Sequence, residues 1–292
     1  MRGNRMKYDY DLVVIGGGAA GLTAAGIRAN FGAKTMMVEA DRLGGDCTWH
    51  GCIPSKTLLH ASRMAQTFRR AKPFGAEAGD RPLDFAKIMH HVRRVRQEVY
   101  EEADHPDHFR DMNIDVKFGR ASFRNPHTIA IAGDDSNLLA SSRYFIIATG
   151  SRPVVPPIPG IDDVPHLTNR TLFELEKQPA SLAIIGGGPI GIEMGQAFQR
   201  LGTEVTVIDM LPGILNNDDE ELSGMLLNRL KKEGVSFKLS ASVKKITQAQ
   251  GKISILGERD DQPENWLADA LLIATGRVAN FESLNLEAAN IA

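Results

Sequence analysis

The sequence predicts an α/β fold with two similar domains, and three observations support this prediction. The chain has 292 residues, which exceeds one ordinary domain and suits about two. A short apolar run, a glycine-rich turn and a helical pattern follow one another near the N-terminus and again in the second half. Each copy is followed, further along the chain, by the same tetrapeptide, Ile-Ala-Thr-Gly. Repeated motifs at matched spacing indicate repeated structural units.

The first copy begins with the β-branched run at 10–15, which is typical of a buried parallel strand. Glycines follow at positions 16, 17, 18 and 21, then a helical pattern over 22–31 and a strand at 35–38 that ends at Glu39. Glycine lets the backbone approach a pyrophosphate, the helix N-terminus offers free N–H groups, and the carboxylate accepts ribose hydroxyls. This pattern predicts a Rossmann-like dinucleotide-binding domain.

The second copy makes this prediction specific, since a single glycine turn is also compatible with an ordinary strand-to-helix connection. A strand at 181–185 precedes glycines at 186, 187, 188 and 191, a helix at 192–201 and a strand at 204–208 that ends at Asp209. Glu39 and Asp209 each follow the first glycine of their own motif by 23 residues. We therefore expect two dinucleotide-binding domains.

Proline residues at 153, 156, 157 and 159 predict a linker at about 152–165. We expect a first nucleotide-binding domain at 1–152, a second domain at 153–275 inserted into it, and a return segment at 276–292. A long amphipathic helix is predicted over 84–102, with Arg93, Arg94 and Arg96 on a solvated face, and an exposed loop is predicted at 105–108. Further elements are a helix at 225–232 and strands at 115–119, 128–132, 235–239, 252–256 and 270–273.

The only two cysteines, Cys47 and Cys52, lie five residues apart in the segment 44–56. Five residues of ideal helix span roughly 7.5 Å, beyond the Cα separation of about 4.4–6.8 Å that a disulfide needs. The segment must therefore be distorted if the sulfurs pair, and its glycines and Pro54 permit this. A metal site and two inert core cysteines are the alternatives, although two cysteines supply only half of a zinc site.

Two dinucleotide sites and one cysteine pair suggest a chain of electron carriers, with a flavin at the first site, a nicotinamide at the second and the cysteines as the outward thiol pair. The segment Gly-Gly-Asp-Cys-Thr-Trp-His-Gly-Cys-Ile-Pro-Ser-Lys resembles the redox signature of the class I pyridine nucleotide–disulfide oxidoreductases. That family includes lipoamide dehydrogenase, glutathione reductase and mercuric reductase. The resemblance extends over nearly the whole chain.

The resemblance implies that Cys47 is the interchange thiol that attacks substrate and that Cys52 forms the charge-transfer thiolate against the flavin. Lys56 is implied to stabilise charge near flavin N5; the alternative is an ordinary surface lysine. The implied FAD contacts are Gly16, Gly18, Gly21, Glu39, Lys56, Ala121, Thr149 and Gly150. The implied nicotinamide contacts are Gly186, Gly188, Gly191, Glu193, Asp209, Val243 and Gly276. Asp209 would repel a 2′-phosphate, so NAD is expected rather than NADP.

Two features depart from the family pattern. Trp49 and His50 stand where lipoamide dehydrogenases usually carry an asparagine-containing sequence, and this version looks more like relatives grouped with mercuric reductases. Family members also continue into a C-terminal dimerisation domain with a His-Glu acid/base pair, which is absent here. We therefore expect a truncated chain whose full-length parent is a homodimer.

The sequence thus predicts an FAD-dependent disulfide oxidoreductase acting on a small-molecule disulfide, protein-bound lipoamide or Hg(II). The alternatives are a flavin NADH oxidase or diaphorase that does not use the cysteines, and a module that only binds nucleotides. A net charge of −2 argues against nucleic acid or an anionic membrane as partner. With no signal peptide or transmembrane stretch in the sequence, a cytoplasmic location is expected.

Overall fold

The computed structural model describes residues 8–71, 74, 83–133 and 137–291. Residues 1–7 and 292, which the sequence assigns to the first domain and the return segment, lie outside the described residues. The chain forms two compact units. Unit 1 comprises Met1–Trp49, Arg96–Arg152 and Ala279–Ala292, and unit 2 comprises His50–Val95 and Pro153–Val278. The predicted domains 1–152 and 153–275 differ from these units mainly at 50–95, and which nucleotide each domain binds stays a prediction.

Both halves of the chain contain strands and helices. The helices described are α1 (Ala19–Asn30), α2 (Gly45–Trp49), α3 (Cys52–Ala71), α4 (Phe85–Val99), α5 (Pro106–Asp111), α6 (Pro189–Leu201) and α7 (Glu220–Lys232). The strands are β1 (Tyr10–Ile15), β2 (Thr35–Glu39), β3 (Ile114–Phe118), β4 (Arg120–Asn125), β5 (Thr128–Ala132), β6 (Asn137–Ile147), β7 (Ser151–Pro153), β8 (Ser181–Ile185), β9 (Glu204–Ile208), β10 (Ser236–Lys238), β11 (Ala241–Ala249), β12 (Lys252–Arg259), β13 (Gln262–Ala268), β14 (Ala270–Ile273) and β15 (Arg277–Ala279).

Unit 1 is built on a sheet with the strand order β3-β2-β1-β6-β5-β4. β3, β2, β1 and β6 run parallel, whereas β5 and β4 continue from β6 as an antiparallel meander. Val13 and Ile15 on β1 pack on the side of the meander core, and Leu12 and Val14 pack on the side of α1. This alternation follows from the period of two in a strand, and it places the glycine turn after β1 at the carboxyl edge of the sheet.

Unit 2 contains a second parallel sheet, β10-β9-β8-β14, and a separate antiparallel sheet, β11-β12-β13. Leu58 of α3, Met89 of α4 and Phe198 of α6 are fully buried in one core cluster with β8 and β9 residues. The other cluster joins the opposite side of β8 and β14 to β11, β12 and β13, and it includes the buried side chains of Ile255 and Ile273. Both parallel sheets therefore have the α/β architecture that the sequence predicts.

The helices begin earlier than the apolar periodicity predicts. α1 begins at Ala19 and α6 at Pro189, next to Gly18 and Gly188. The apolar pattern misses these first residues because they are exposed or half-buried. α7 begins at Glu220 rather than 225, where the Asp219 carboxylate accepts from the Leu222 N–H at 3.0 Å. This is an N-cap interaction, which apolar periodicity does not detect.

The long helix predicted at 84–102 is present as α4, which ends at Val99 and is followed without a break by a π-helical turn over Tyr100–Asp104. Two predictions beside it are wrong. Arg96 is only 8 % exposed and donates to the Trp49 carbonyl at 2.9 Å, so it does not lie on a solvated face. The predicted loop at 105–108 instead begins α5, with His105 as the N-cap residue.

No helix in the described ranges is both long enough and apolar enough to cross a membrane.

Candidate functional site

The turn between β1 and α1 requires glycine at two positions. Gly16 has φ +110°, and a Cβ atom there would lie 2.2 Å from the Ala148 carbonyl oxygen. A Cβ atom on Gly21 would lie 1.8 Å from the Gly16 carbonyl oxygen. Gly18 is the N-cap residue of α1 and has no side chain to cap the first N–H groups of the helix. The turn therefore presents helix N–H groups on a bare backbone, which suits an anionic ligand.

The Glu39 carboxylate lies beside the same turn. Glu39 ends β2, its Oε2 accepts from the Gly17 N–H at 2.6 Å, and its Oε1 accepts from the Asp41 N–H at 2.8 Å. These bonds fix the acidic side chain next to the glycine backbone, where it can also accept ribose hydroxyls. Sequence spacing predicts the position of Glu39 but not its bond to Gly17.

The second glycine turn repeats this geometry in unit 2. Gly186 has φ +117°, and its Cβ position lies 2.3 Å from the Ala274 carbonyl oxygen. The Cβ position of Gly191 lies 2.0 Å from the Gly186 carbonyl oxygen. The Gly187 N–H donates to Asp209 Oδ2 at 2.5 Å, as Gly17 does to its own acidic residue. The chain thus contains the same turn twice, with matching contacts.

Both turns fit the diphosphate and ribose of a dinucleotide. A Cβ atom on Gly188 would meet nothing within 4 Å, so the backbone of the second turn is open to a ligand. In the first turn, Gly18 has only the Gly45 Cα atom within this distance, at 3.7 Å. Helix N–H donors, bare glycine backbone and one carboxylate are the groups that this ligand class needs.

Each Ala-Thr-Gly segment contacts a later or earlier part of its own unit. The Thr149 hydroxyl donates to the Asn280 carbonyl, the Asn280 side-chain amide donates to the Thr149 carbonyl at 3.1 Å, and the Asn280 N–H donates to the Gly150 carbonyl at 3.0 Å. In unit 2 the Gly276 carbonyl accepts from the Val154 N–H at 3.0 Å. Asn280 is a contact that sequence reasoning missed, because no motif marks it.

The return segment is also held by an ion pair. Arg152 Nη2 lies 2.7 Å from Glu282 Oε1, and Arg152 Nη1 contacts the Asn280 side chain at 3.1 Å. The hydrogen bond from Arg152 lowers the pKa of Glu282 to about 2. The segment after β15 is thereby tied to the chain just after the first Ala-Thr-Gly segment.

Two predicted contacts lie away from the glycine turns. Ala121 is on β4, and its side chain is 5 % exposed in the meander core, so any ligand contact would come from its backbone. Val243 lies on β11 next to an irregularity in the pairing with β12. Their roles stay predictions.

The cysteine segment is interrupted between the two cysteines. Cys47 lies in α2, Cys52 is the first residue of α3, and His50 and Gly51 separate the two helices. The chain therefore departs from one continuous helix between the two cysteines. Such a departure is a condition for the two sulfurs to pair. Cys47 is half-buried and Cys52 is exposed. Among the described residues, no group of three or more His, Cys, Asp or Glu side chains is arranged to hold a metal ion.

The start of this segment lies against the first glycine turn within unit 1. Gly44 and Gly45 have φ +95° and +57°. The Gly44 N–H donates to the Gly17 carbonyl at 2.9 Å, and a Cβ atom on Gly45 would lie 2.6 Å from the Gly18 Cα atom. Two motifs that are separate in sequence thus share one contact. Side chains at 44 and 45 would push them apart.

Lys56 and Glu193 form an ion pair within unit 2. Lys56 is on α3 and Glu193 is on α6, and Nζ and Oε1 lie 2.6 Å apart. The side chains are 63 % and 37 % exposed, so solvent screens much of this attraction. The pairing joins two predicted site residues and gives the Lys56 ammonium a matched counter-charge.

The sequence profile of the pyridine nucleotide-disulphide oxidoreductase family matches residues 10–292. Mercuric reductase from Staphylococcus aureus is 37 % identical over 97 % of this chain and 51 % of its own length. Dihydrolipoyl dehydrogenase from Bacillus subtilis is 34 % identical over 98 % of this chain and 62 % of its own length. The Cu(II) complex of the HOCl-induced flavoprotein disulfide reductase RclA from Escherichia coli superposes with a TM-score of 0.83 at 32 % identity, over 97 % of this chain and 60 % of that one.

The chain spans about half to three fifths of the length of these relatives. Within that span, the profile match covers both glycine turns, the cysteine segment and both Ala-Thr-Gly segments. The chain belongs to the pyridine nucleotide-disulphide oxidoreductase family.

Proposed function

We propose that this chain takes electrons from NADH and passes them through FAD to the Cys47–Cys52 pair, which then reduces a disulfide such as lipoamide, or Hg(II). The observation that carries the proposal is the duplicated glycine turn, with the cysteine segment packed against the first copy. Since the relatives are longer, the activity of the whole protein is part of this proposal, as is its assembly as a homodimer.

FAD is assigned to the first turn because the cysteine segment contacts that turn, whereas the backbone of the second turn is open at Gly188. Gly16, Gly18 and Gly21 would admit its diphosphate, and Glu39 would accept its ribose hydroxyls. Thr149 and Gly150 are the further contacts that we propose at this site. When bound, FAD supplies an acceptor for hydride from the nicotinamide and a donor of an electron pair to a disulfide.

Cys47 is proposed as the thiol that exchanges with substrate, and Cys52 as the thiol on the flavin side. Thiol–disulfide exchange proceeds by attack of one thiolate on a disulfide sulfur, so one cysteine of the pair has to reach the substrate. Cys47 is half-buried and lies on α2, whose first residues contact the first glycine turn, and this suits a thiol that attacks in one orientation.

The second turn is proposed to take NADH rather than NADPH. The Asp209 carboxylate is held at the turn by Gly187 and Leu211, and would repel a 2′-phosphate. Met210 and Leu211, which follow it, are 74 % and 46 % exposed and offer no positive charge to that phosphate. Gly186, Gly188 and Gly191 would admit the diphosphate, and Glu193, Val243 and Gly276 are the remaining proposed contacts.

The experiment that tests this proposal is an anaerobic absorbance spectrum of the FAD-loaded chain before and after NADH is added. We expect the first equivalent of NADH to produce a new long-wavelength band, because a thiolate beside the oxidised flavin perturbs its spectrum, and further NADH to bleach the flavin absorbance. The Cys52→Ser variant should bind FAD but lack the band. NADPH at the same concentration should bleach the flavin at least about tenfold more slowly, because Asp209 repels its extra phosphate.

Three outcomes would contradict parts of the proposal. A band that persists in Cys52→Ser would remove the role given to Cys52. Unchanged NADH turnover with dyes, and no disulfide reduction, in both the native chain and a variant with alanine at both cysteines would indicate a diaphorase. FAD binding without any response to NADH would leave only a nucleotide-binding module.

A further inference from the structure

Trp49 is enclosed by cations and hydrogen-bond partners within unit 1. Its side chain is 5 % exposed, and its Nε1–H donates to the Leu43 carbonyl at 2.7 Å. The Arg42 guanidinium carbon lies 3.6 Å from the indole centroid, and that of Arg96 lies at 5.5 Å. Arg96 also donates to the Trp49 carbonyl at 2.9 Å. We call Arg42, Leu43, Trp49 and Arg96 the Trp49 clamp.

The clamp closes a short stretch of chain around Cys47. The indole of Trp49, the last residue of α2, reaches back to the carbonyl of Leu43, two residues before α2 begins. Leu43 is fully buried, and its side chain lies against the position of a Cβ on Gly17. The Trp49 bond therefore joins the end of α2 to the residue that packs on the first glycine turn.

A second buried bond holds the residue next to Cys47. The Thr48 hydroxyl donates to Asp104 Oδ2 at 2.5 Å, and both side chains are at most 9 % exposed. Asp104 belongs to the π-helical turn after α4. Gly44 is required here, because a Cβ atom on it would lie 2.8 Å from both Asp104 Oδ2 and the Thr48 Cβ atom.

These contacts are needed because α2 is too short to be stable alone. It has 5 residues, and isolated helices shorter than about 12 residues are marginal in water. Its position therefore depends on the bonds at its two ends. Cys47 is at its centre.

We propose that Trp49 is a positioning residue for Cys47, acting through its bond to Leu43 and its contacts with Arg42 and Arg96. The redox role of Cys47 rests on the proposed function, but the positioning effect does not. Loss of the indole donor frees the end of α2, and the half-buried Cys47 thiol then becomes more accessible to reagents in the native state.

The test measures the rate at which Cys47 reacts with N-ethylmaleimide in a Cys52→Ser background, where Cys47 is the only thiol. Trp49→Phe keeps an aromatic ring but removes the N–H donor. Trp266→Phe is the matched control, because Trp266 is 8 % exposed, lies in unit 2 and donates its own Nε1–H to Glu264 at 2.8 Å. The same change is thereby made at a similar burial, away from Cys47 in the chain.

We expect Trp49→Phe to increase the alkylation rate about fivefold or more well below the melting temperature, and Trp266→Phe to leave it within about twofold. The increased rate should be independent of low urea, because local opening exposes little surface while global unfolding has a steep urea dependence. If Trp49→Phe does not fold, Arg96→Gln tests the same clamp through the Trp49 carbonyl.

Equal rates in the Trp49→Phe and Trp266→Phe variants would overturn the proposal. A rate increase in Trp49→Phe that rises steeply with urea would also overturn it, since Trp49 would then act only on global stability. Neither result depends on FAD or NADH. A failure of the proposed function is thus distinguishable from a failure of this inference.

Discussion

Gly21→Ala is expected to abolish FAD retention, and Gly191→Ala is expected to abolish reduction by NADH while FAD remains bound. Each substitution places a Cβ atom 2.0 Å or less from the carbonyl oxygen of the first glycine in its own turn. That oxygen belongs to the backbone, so the turn itself must move and the helix N–H groups leave their positions. We expect each variant to lose at least roughly 100-fold in affinity for its own nucleotide, about 2.7 kcal/mol.

The two variants serve as controls for each other, and a third serves as control for α1. Gly26 lies in the same helix as Gly21, but its Cβ position meets only the Met112 side chain, at 3.5 Å. Gly26→Ala should therefore retain FAD. The measurements are the flavin-to-protein ratio after gel filtration and the rate of anaerobic bleaching by NADH. Stoichiometric FAD in Gly21→Ala, or loss of FAD in Gly191→Ala with normal NADH binding, would contradict the assignment of the two sites.

Glu233→Gln is expected to destabilise unit 2 by about 2–4 kcal/mol. The substitution removes a carboxylate that forms ion pairs with Arg70, Arg200 and Arg229. Glu233 follows α7, and its side chain is 4 % exposed. Its two oxygens lie 2.7 Å from Arg200, 2.8 Å from Arg229 and 3.2 Å from Arg70. Arg200 is only 16 % exposed, so its charge would be left partly buried without a counter-ion.

The same cluster makes part of the folding stability of unit 2 sensitive to acid. Burial raises the pKa of Glu233, but the hydrogen bonds and charges of Arg200 and Arg229 outweigh burial and hold this pKa below its usual 4.5. A carboxyl with a lowered folded-state pKa contributes its full stability above the unfolded-state pKa and loses it as the pH falls through the folded-state pKa. The difference between native chain and Glu233→Gln should therefore be constant near neutral pH and shrink below about pH 4.5.

Urea denaturation followed by circular dichroism measures this effect, and Glu258→Gln is the control. Glu258 pairs with Lys244 at 3.0 Å, but the two side chains are 52 % and 57 % exposed. Exposed pairs contribute about 0–1 kcal/mol, so this variant should remain close to the native chain. Equal destabilisation by the two glutamine substitutions would contradict the prediction, since the buried cluster would then contribute no more to stability than an exposed ion pair.

Features set by local sequence chemistry could be predicted from the sequence. The glycine turns need φ values and close backbone approaches that few other residues adopt, so Gly16, Gly21, Gly186 and Gly191 identify them directly. The acidic residues Glu39 and Asp209 follow from the length of one βαβ unit. The reach of a disulfide predicts a break in the cysteine segment if its two sulfurs pair, and the helices α2 and α3 are separated at that place.

Features set by tertiary contact could not be predicted. Arginine is usually exposed to solvent, so the sequence predicts an exposed Arg96. Its burial is explained by its hydrogen bond to the Trp49 carbonyl, which only the folded chain shows. The link between Thr48 and Asp104 joins residues 56 positions apart, and no pattern in the sequence relates them. Asn280 likewise contacts Thr149 across 131 positions, which only the folded chain brings together.

The measurement that tests the central claim most directly is an anaerobic titration of the FAD-loaded chain with dithionite, followed by flavin absorbance. If FAD and the cysteine pair act as one relay, complete reduction takes about four electrons per bound flavin, because FAD and a disulfide each accept two. The Cys47→Ser variant should then take about two. A native chain that is fully reduced by about two electrons, with no change on substitution of Cys47, would contradict the account.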